Sequence, residues 1–181
     1  MNIKTMNVLS LSVFTIAMVT ASSAFAVNKI TFSGKVIDTA CTVVINDGTA
    51  TLDLGETSLT DLNAAGLTGA PKEFTIALTD CPAAAAGVPT KAYIKFSGTT
   101  DGDNTYFKND LSDTDAASNV GVIIKDPAGT AIVNNDGNGA IAINAEGGDQ
   151  SLEYTASMVA TATGATKGNV STAVTYNVSY E

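Results

Sequence analysis

Over most of this chain apolar and polar residues exchange places at every second position, and the runs are cut by clusters of glycine, asparagine, aspartate and proline. A period of two belongs to extended backbone, whose successive side chains point to opposite faces. Cys41–Ile45 is one such run, closed by the tight-turn signal Asn46-Asp47-Gly48. Thr51–Gly55 carries Leu52 and Leu54 on one face, and Glu73–Cys81 carries Phe74, Ile76 and Leu78. Lys91–Ser97 turns Ile94 and Phe96 inward, and Val120, Val122 and Ile124 line a further run that stops at Asp126-Pro127. Short strands are predicted over Ala140–Asn144 and Leu152–Ala160. Ser151–Ala162 also scores as helix, but serine and threonine at alternate positions favour strand. A last run, Asn169–Glu181, places Val170, Val174, Tyr176, Val178 and Tyr180 on one face. Ser58–Lys72 is expected as a loop or short helical turn, Pro82–Pro89 as a connection and Asp101–Ser118 as a surface loop around Tyr106-Phe107. Asn134–Gly139 is the strongest turn. No repeat or domain linker interrupts the pattern. Many short strands with such turns predict an all-β sandwich.

Residues 1–26 stand apart. Lys4 precedes the apolar run Val8–Val19, and Ala24-Phe25-Ala26 supplies small residues where a signal peptidase cuts. The run is too short for a stable span. A secretory signal removed after Ala26 is expected, which leaves 155 residues, a released product without membrane insertion, and enough chain for one domain with a core. Without Lys4 the balance is eight lysines against 18 acids, a net charge of −10. There is no arginine, so a basic face for nucleic acid is missing. Two cysteines remain, Cys41 and Cys81. An isolated pair in an exported chain with no histidine reads as a disulfide.

The residue inventory is poor in reactive groups. With no histidine, His-dependent triads and most zinc sites drop out. A disulfide removes both thiolates. Asp101-Gly-Asp103-Asn104 and Asp113-Thr-Asp115 lack the spaced oxygens and closing glutamate of a calcium loop, and read as solvated loops. Asn169-Val-Ser171 and Asn177-Val-Ser179 match a glycosylation sequon, a three-residue pattern common by chance. No carboxylate pair is singled out for glycosidase chemistry, and no phosphate loop or cofactor motif is present. The expectation is no enzyme, no cofactor and no metal.

One stretch remains, Ile30–Val36. Ile30, Phe32, Gly34 and Val36 share a face, and the glycine suits a place where a groove approaches the backbone. Two readings stand: a first strand pairing within its own domain, or a strand made for another chain's sheet. That strand, the cysteines at 41 and 81, Gly168 and the alternating C-terminal run with penultimate Tyr180 together resemble the pilin subunits of chaperone–usher fimbriae, the family of type 1 and P pili. Phe74–Cys81 and Asn119–Asp126 are similar to that family too. The resemblance covers residues 27–181 and is to a shaft subunit, with a short extension of the P-pilus kind.

The resemblance implies an incomplete immunoglobulin-like β-sandwich that lacks its last strand. Residues 27–40 would be a donor-strand extension and residues 41–181 the pilin domain. Gly168, Val170, Val174, Tyr176, Val178 and Tyr180 would border an acceptor groove. A periplasmic chaperone would fill it first, and at the outer-membrane usher the Ile30–Val36 strand of an identical or related subunit would replace the chaperone. The fibre would be a head-to-tail polymer on the cell surface that supports adhesion. The alternatives are a self-contained secreted binding module, complete in its own fold, or a minor tip adaptor.

Overall fold

The computed structural model describes residues 40–49, 51–101, 103–136 and 140–181, all within the unit Val36–Glu181. The expected signal segment and the Ile30, Phe32, Gly34 and Val36 strand lie outside the described residues. Among the described residues the strands run β1 Thr42–Ile45, β2 Lys72–Cys81, β3 Lys91–Ser97, β4 Thr100–Asp101, β5 Asp103–Lys108, β6 Val120–Lys125, β7 Ile141–Ala142, β8 Gly148–Ala160 and β9 Thr175–Tyr180. A single 3-10 turn, Asn46–Gly48, ends β1.

The strands form two sheets. One is six-stranded in the order β1-β2-β8-β6-β5-β4, and the other three-stranded in the order β7-β3-β9. Every named strand pair is antiparallel. The register sets Phe74 opposite Tyr154 and Ile76 opposite Leu152, so β8 continues the apolar face predicted for β2. On the other sheet Ile94 lies opposite Val178 and Phe96 opposite Tyr176. Tyr154 joins the layers, its ring centroid 5.7 Å from Phe74 of its own sheet and 5.8 Å from Phe96 of the other. Ile76, Leu78 and Ile94 are wholly buried, each worth roughly 1.5–3 kcal/mol as an upper estimate.

The cysteines are bonded, Cys41 to Cys81, with Cα atoms 4.2 Å apart. The bond ties the start of β1 to the end of β2. Cys81 follows a bulge in the β2–β8 register, where Asp80 takes φ 53° and its N–H is accepted by Asp149 Oδ1 at 3.0 Å. Cys41, Leu78, Cys81 and Ala92 form a small buried cluster there.

Five stretches differ from the pattern's forecast. Thr51–Gly55 is not a strand, because Asp53 Oδ1 accepts the Gly55 N–H at 2.9 Å and Gly55 takes φ 71°. This aspartate turn spends the backbone locally, while Leu52 and Leu54 still pack on the core. The Asp101–Ser118 loop yields β5, with Phe107 fully buried. Ala140–Asn144 shrinks to β7, and β8 begins at Gly148. The C-terminal run becomes a strand only at Thr175. Residues before it are held by other means.

Candidate functional site: an apolar groove between two sheet edges

β1 is an edge of the larger sheet, and β9 is an edge of the smaller one. Between them lies a groove of about 870 Å³. Val43, Ile45, the Asn46–Gly48 turn, Leu52 and Leu54 make one wall, and Val170, Val174 and Tyr176 make the other. Its floor is core: Phe74, Phe96, Val122, Ile124 and Ala156. The ionisable side chains among the described lining residues are Asp53, committed to its own turn, and Tyr176. Such a lining offers no acid–base pair and no metal cage. It can hold apolar side chains.

The β9 wall also carries an unpaired backbone edge. Lys91 and Glu181 exchange both main-chain hydrogen bonds at 3.0 Å, N–H to C=O in each direction. Bonded and non-bonded pairs alternate in an antiparallel ladder. Ser179, Asn177 and Thr175 therefore bond to Tyr93, Lys95 and Ser97, their partners in the register. Tyr180, Val178 and Tyr176 sit at the non-bonded positions, with N–H and C=O turned away from β3. Among the described residues no strand pairs with that side of β9. Val178 packs against both neighbouring clusters, and Tyr176 is 46 % exposed.

One end of the groove is closed. Tyr180 Oη donates to the Cys41 carbonyl at 2.9 Å, so the last strand is tied to the first beside the disulfide. Burial raises the Tyr180 phenol above its usual pKa. Nearby, Tyr93 Oη donates to Glu181 Oε2 at 3.1 Å, and this bond raises the Tyr93 phenol too. The alternation alone gave no hint of either tie beyond a large aromatic beside the C-terminus.

The other end is built from loops. Gly168 takes φ 155°, and a Cβ there would run into the backbone of Ala116 and Ala117. Asn169 forms an isolated parallel bridge with Ala116, its N–H bonded to Asp115 O at 2.7 Å. Val170 and Val174 reach the groove from this irregular segment. Of the residues expected on one face of the C-terminal run, Val170, Val174 and Tyr176 line the groove, and Val178 packs against the core beside it. The opposite wall, Val43, Ile45, Leu52 and Leu54, was legible as alternation but not as part of a site. Asn109 and Asp110, which hold the 169–173 segment, carried no signal at all. In the Asp113–Asp115 loop, Asp113 Oδ1 accepts the Asp115 N–H at 3.0 Å.

Residues 30–181 match the family model described as Fimbrial protein. Long polar fimbria protein A of Salmonella typhimurium is 31 % identical over 167 residues, covering 90 % of this chain and 91 % of that protein. Among solved structures, a chain from a chaperone–usher pilus studied for rod uncoiling superposes with a TM-score of 0.65 at 23 % identity, covering 85 % of this chain and 95 % of that one. The P pilus rod subunit PapA gives 0.64 at 21 % identity, over 79 % of this chain and 100 % of that one. The fold shared with these structures is the immunoglobulin-like sandwich without its last strand.

Proposed function

This chain belongs to the Fimbrial protein family, as a structural subunit of a chaperone–usher surface pilus and not an enzyme, and from that premise we propose that it polymerises by donor-strand exchange. The donor is the Ile30–Val36 segment of a neighbouring subunit, and the acceptor is the groove between β1 and β9. The domain begins at Cys41, after a signal of residues 1–26 and an extension of residues 27–40. In the periplasm a chaperone strand covers the same groove, and the outer-membrane usher is where the neighbour's segment replaces it. The contacts are head-to-tail and leave one groove and one donor free, so they build an open filament.

The observation that carries this reading is the double character of Tyr176, Val178 and Tyr180. Their outward main-chain groups can accept one more strand, and an exposed strand edge over apolar side chains is an aggregation hazard unless it is covered. Chaperone–pilin donor-strand complementation is itself a standard instance of β-strand addition. Ile30, Phe32 and Val36 would each contribute roughly 1.5–3 kcal/mol on burial, as an upper estimate. Gly34, lacking a side chain, would let the backbone pass close to the floor.

The test compares two chains that begin at residue 40. One ends at Glu181, and the other continues through a short flexible linker into residues 27–39. The fused donor is expected to give a monomer that melts far above the unfused chain, which should aggregate or remain unstable. Equal melting of two stable monomers would mean that the fold is already complete, and a self-contained binding module would replace this proposal.

A further inference from the structure

The wall of the groove is made in two mechanically different parts. From Thr175 to Tyr180 it is a strand laddered to β3. From Asn169 to Ala173 it has no strand partner, and its main-chain groups are met by the loop that follows β5. Asn109 is the centre of that loop and is only 5 % exposed. Its Nδ2 donates to Ala117 O at 3.0 Å and to Asn169 O at 2.9 Å. Its Oδ1 accepts from Leu111 N at 3.2 Å and from Ser171 N at 2.9 Å. A primary amide has two donor hydrogens and two acceptor lone pairs, and here all four are used. Reversing the amide would set its NH₂ against two N–H groups and its oxygen against two carbonyls, so one orientation alone fits.

Three exposed contacts extend the same attachment. Asp110 N–H donates to Ser171 O at 2.8 Å, Asp110 Oδ2 accepts from Ala173 N at 2.8 Å, and Thr172 Oγ1 donates to Lys108 O at 3.0 Å. Val170 and Val174, which the groove needs, lie on either side of the residues so held.

We infer that Asn109 is a positioning residue for strand acceptance, a side-chain clasp that sets the Asn169–Ala173 half of the groove wall independently of the β3–β9 ladder. The inference rests on the donor-strand reading for its functional consequence and on the hydrogen bonds alone for its structural one. A strand bonded to a neighbouring strand is held by many cooperative bonds. At the start of this half Asn169 also bonds to Asp115 O and Ala117 N, but beyond it this half is held by one buried amide and its flanks, so its shape should respond to a single isosteric change.

The test uses Asn109→Asp, which keeps the shape and the acceptor oxygen but removes both donors, in the full secreted chain refolded with a synthetic peptide of residues 27–39. Amide hydrogen exchange should rise at least tenfold at Ser171 and Ala173 and stay within about twofold at Ser179 and Asn177. Dissociation of labelled peptide should quicken about tenfold. Asp110→Ala, an exposed site that tolerates change, removes the Ala173 attachment and should move the same two readouts in the same direction by a smaller factor, which keeps the inference testable if Asn109→Asp does not refold. Exchange rising equally in both halves would reduce Asn109 to a general structural residue and overturn the clasp. Unchanged peptide dissociation with localised exchange would overturn its part in strand acceptance. A wild-type chain that never binds the peptide would instead refute donor-strand exchange, and the functional half of the inference would fall with it.

Discussion

Removing the disulfide should cost this fold a large share of its stability. Cys41 and Cys81 are 40 residues apart in sequence, and in the chain-entropy model a loop of that size contributes about 4 kcal/mol by restricting the unfolded chain. Both side chains are buried, so replacing them with alanine also loses some packing. Native domains stand only about 5–15 kcal/mol above their unfolded state. In urea, with a slope of about 2 kcal/mol/M, the unfolding midpoint of the donor-fused chain should fall by about 2 M in the Cys41→Ala, Cys81→Ala variant. The loss should not be uniform. β1 is held along one edge only, by β2, so its amides should lose exchange protection before those of β2 and β8. Because β1 is a groove wall, the unlinked variant should also hold a donor less tightly. A midpoint shift under about 0.5 M, or equal loss of protection in β1 and β8, would refute the reasoning.

Two further substitutions probe one end of the groove and the proposed donor. Tyr180→Phe removes the bond to the Cys41 carbonyl, which should cost about 0.5–1 kcal/mol for a half-buried hydroxyl in neutral denaturation curves. The folded chain holds the Tyr180 proton more tightly than the unfolded chain does, so that contribution is fully present below the unfolded value of 10.0 and is lost as pH climbs through the raised folded value. Tyr93 follows the same sign, so Tyr180→Phe should flatten only part of the alkaline loss, and identical alkaline profiles for the two chains would count against it. Gly34→Asn should leave the subunit folded with its chaperone but abolish fibre formation, because a side chain would stand where the donor must pass close to the groove floor; normal fibre yield by electron microscopy would remove Gly34 from that role.

Much of this protein is set by residue order alone. Alternation placed the apolar faces of β2, β3, β6 and β9, because a period of two leaves one face to bury wherever the backbone is extended. The absence of histidine and the lone cysteine pair narrowed the chemistry to a disulfide-stapled scaffold, and the bond is there. The turn at Asn46-Asp47-Gly48 was legible because three successive left-handed φ values suit those residues. Tertiary structure decided the rest. Leu52 and Leu54 alternate like a strand yet form none, since a local aspartate turn outbids a ladder that has no neighbour to offer. Val170 and Val174 look continuous with Tyr176, Val178 and Tyr180, but the backbone beside them, at Asn169, Ser171 and Ala173, is held by Asn109 and Asp110, some 60 positions earlier in the chain. Sequence periodicity reports which side of a segment is apolar. Which edges meet, and which edge is left without a partner, depends on long-range pairings that a local pattern does not contain.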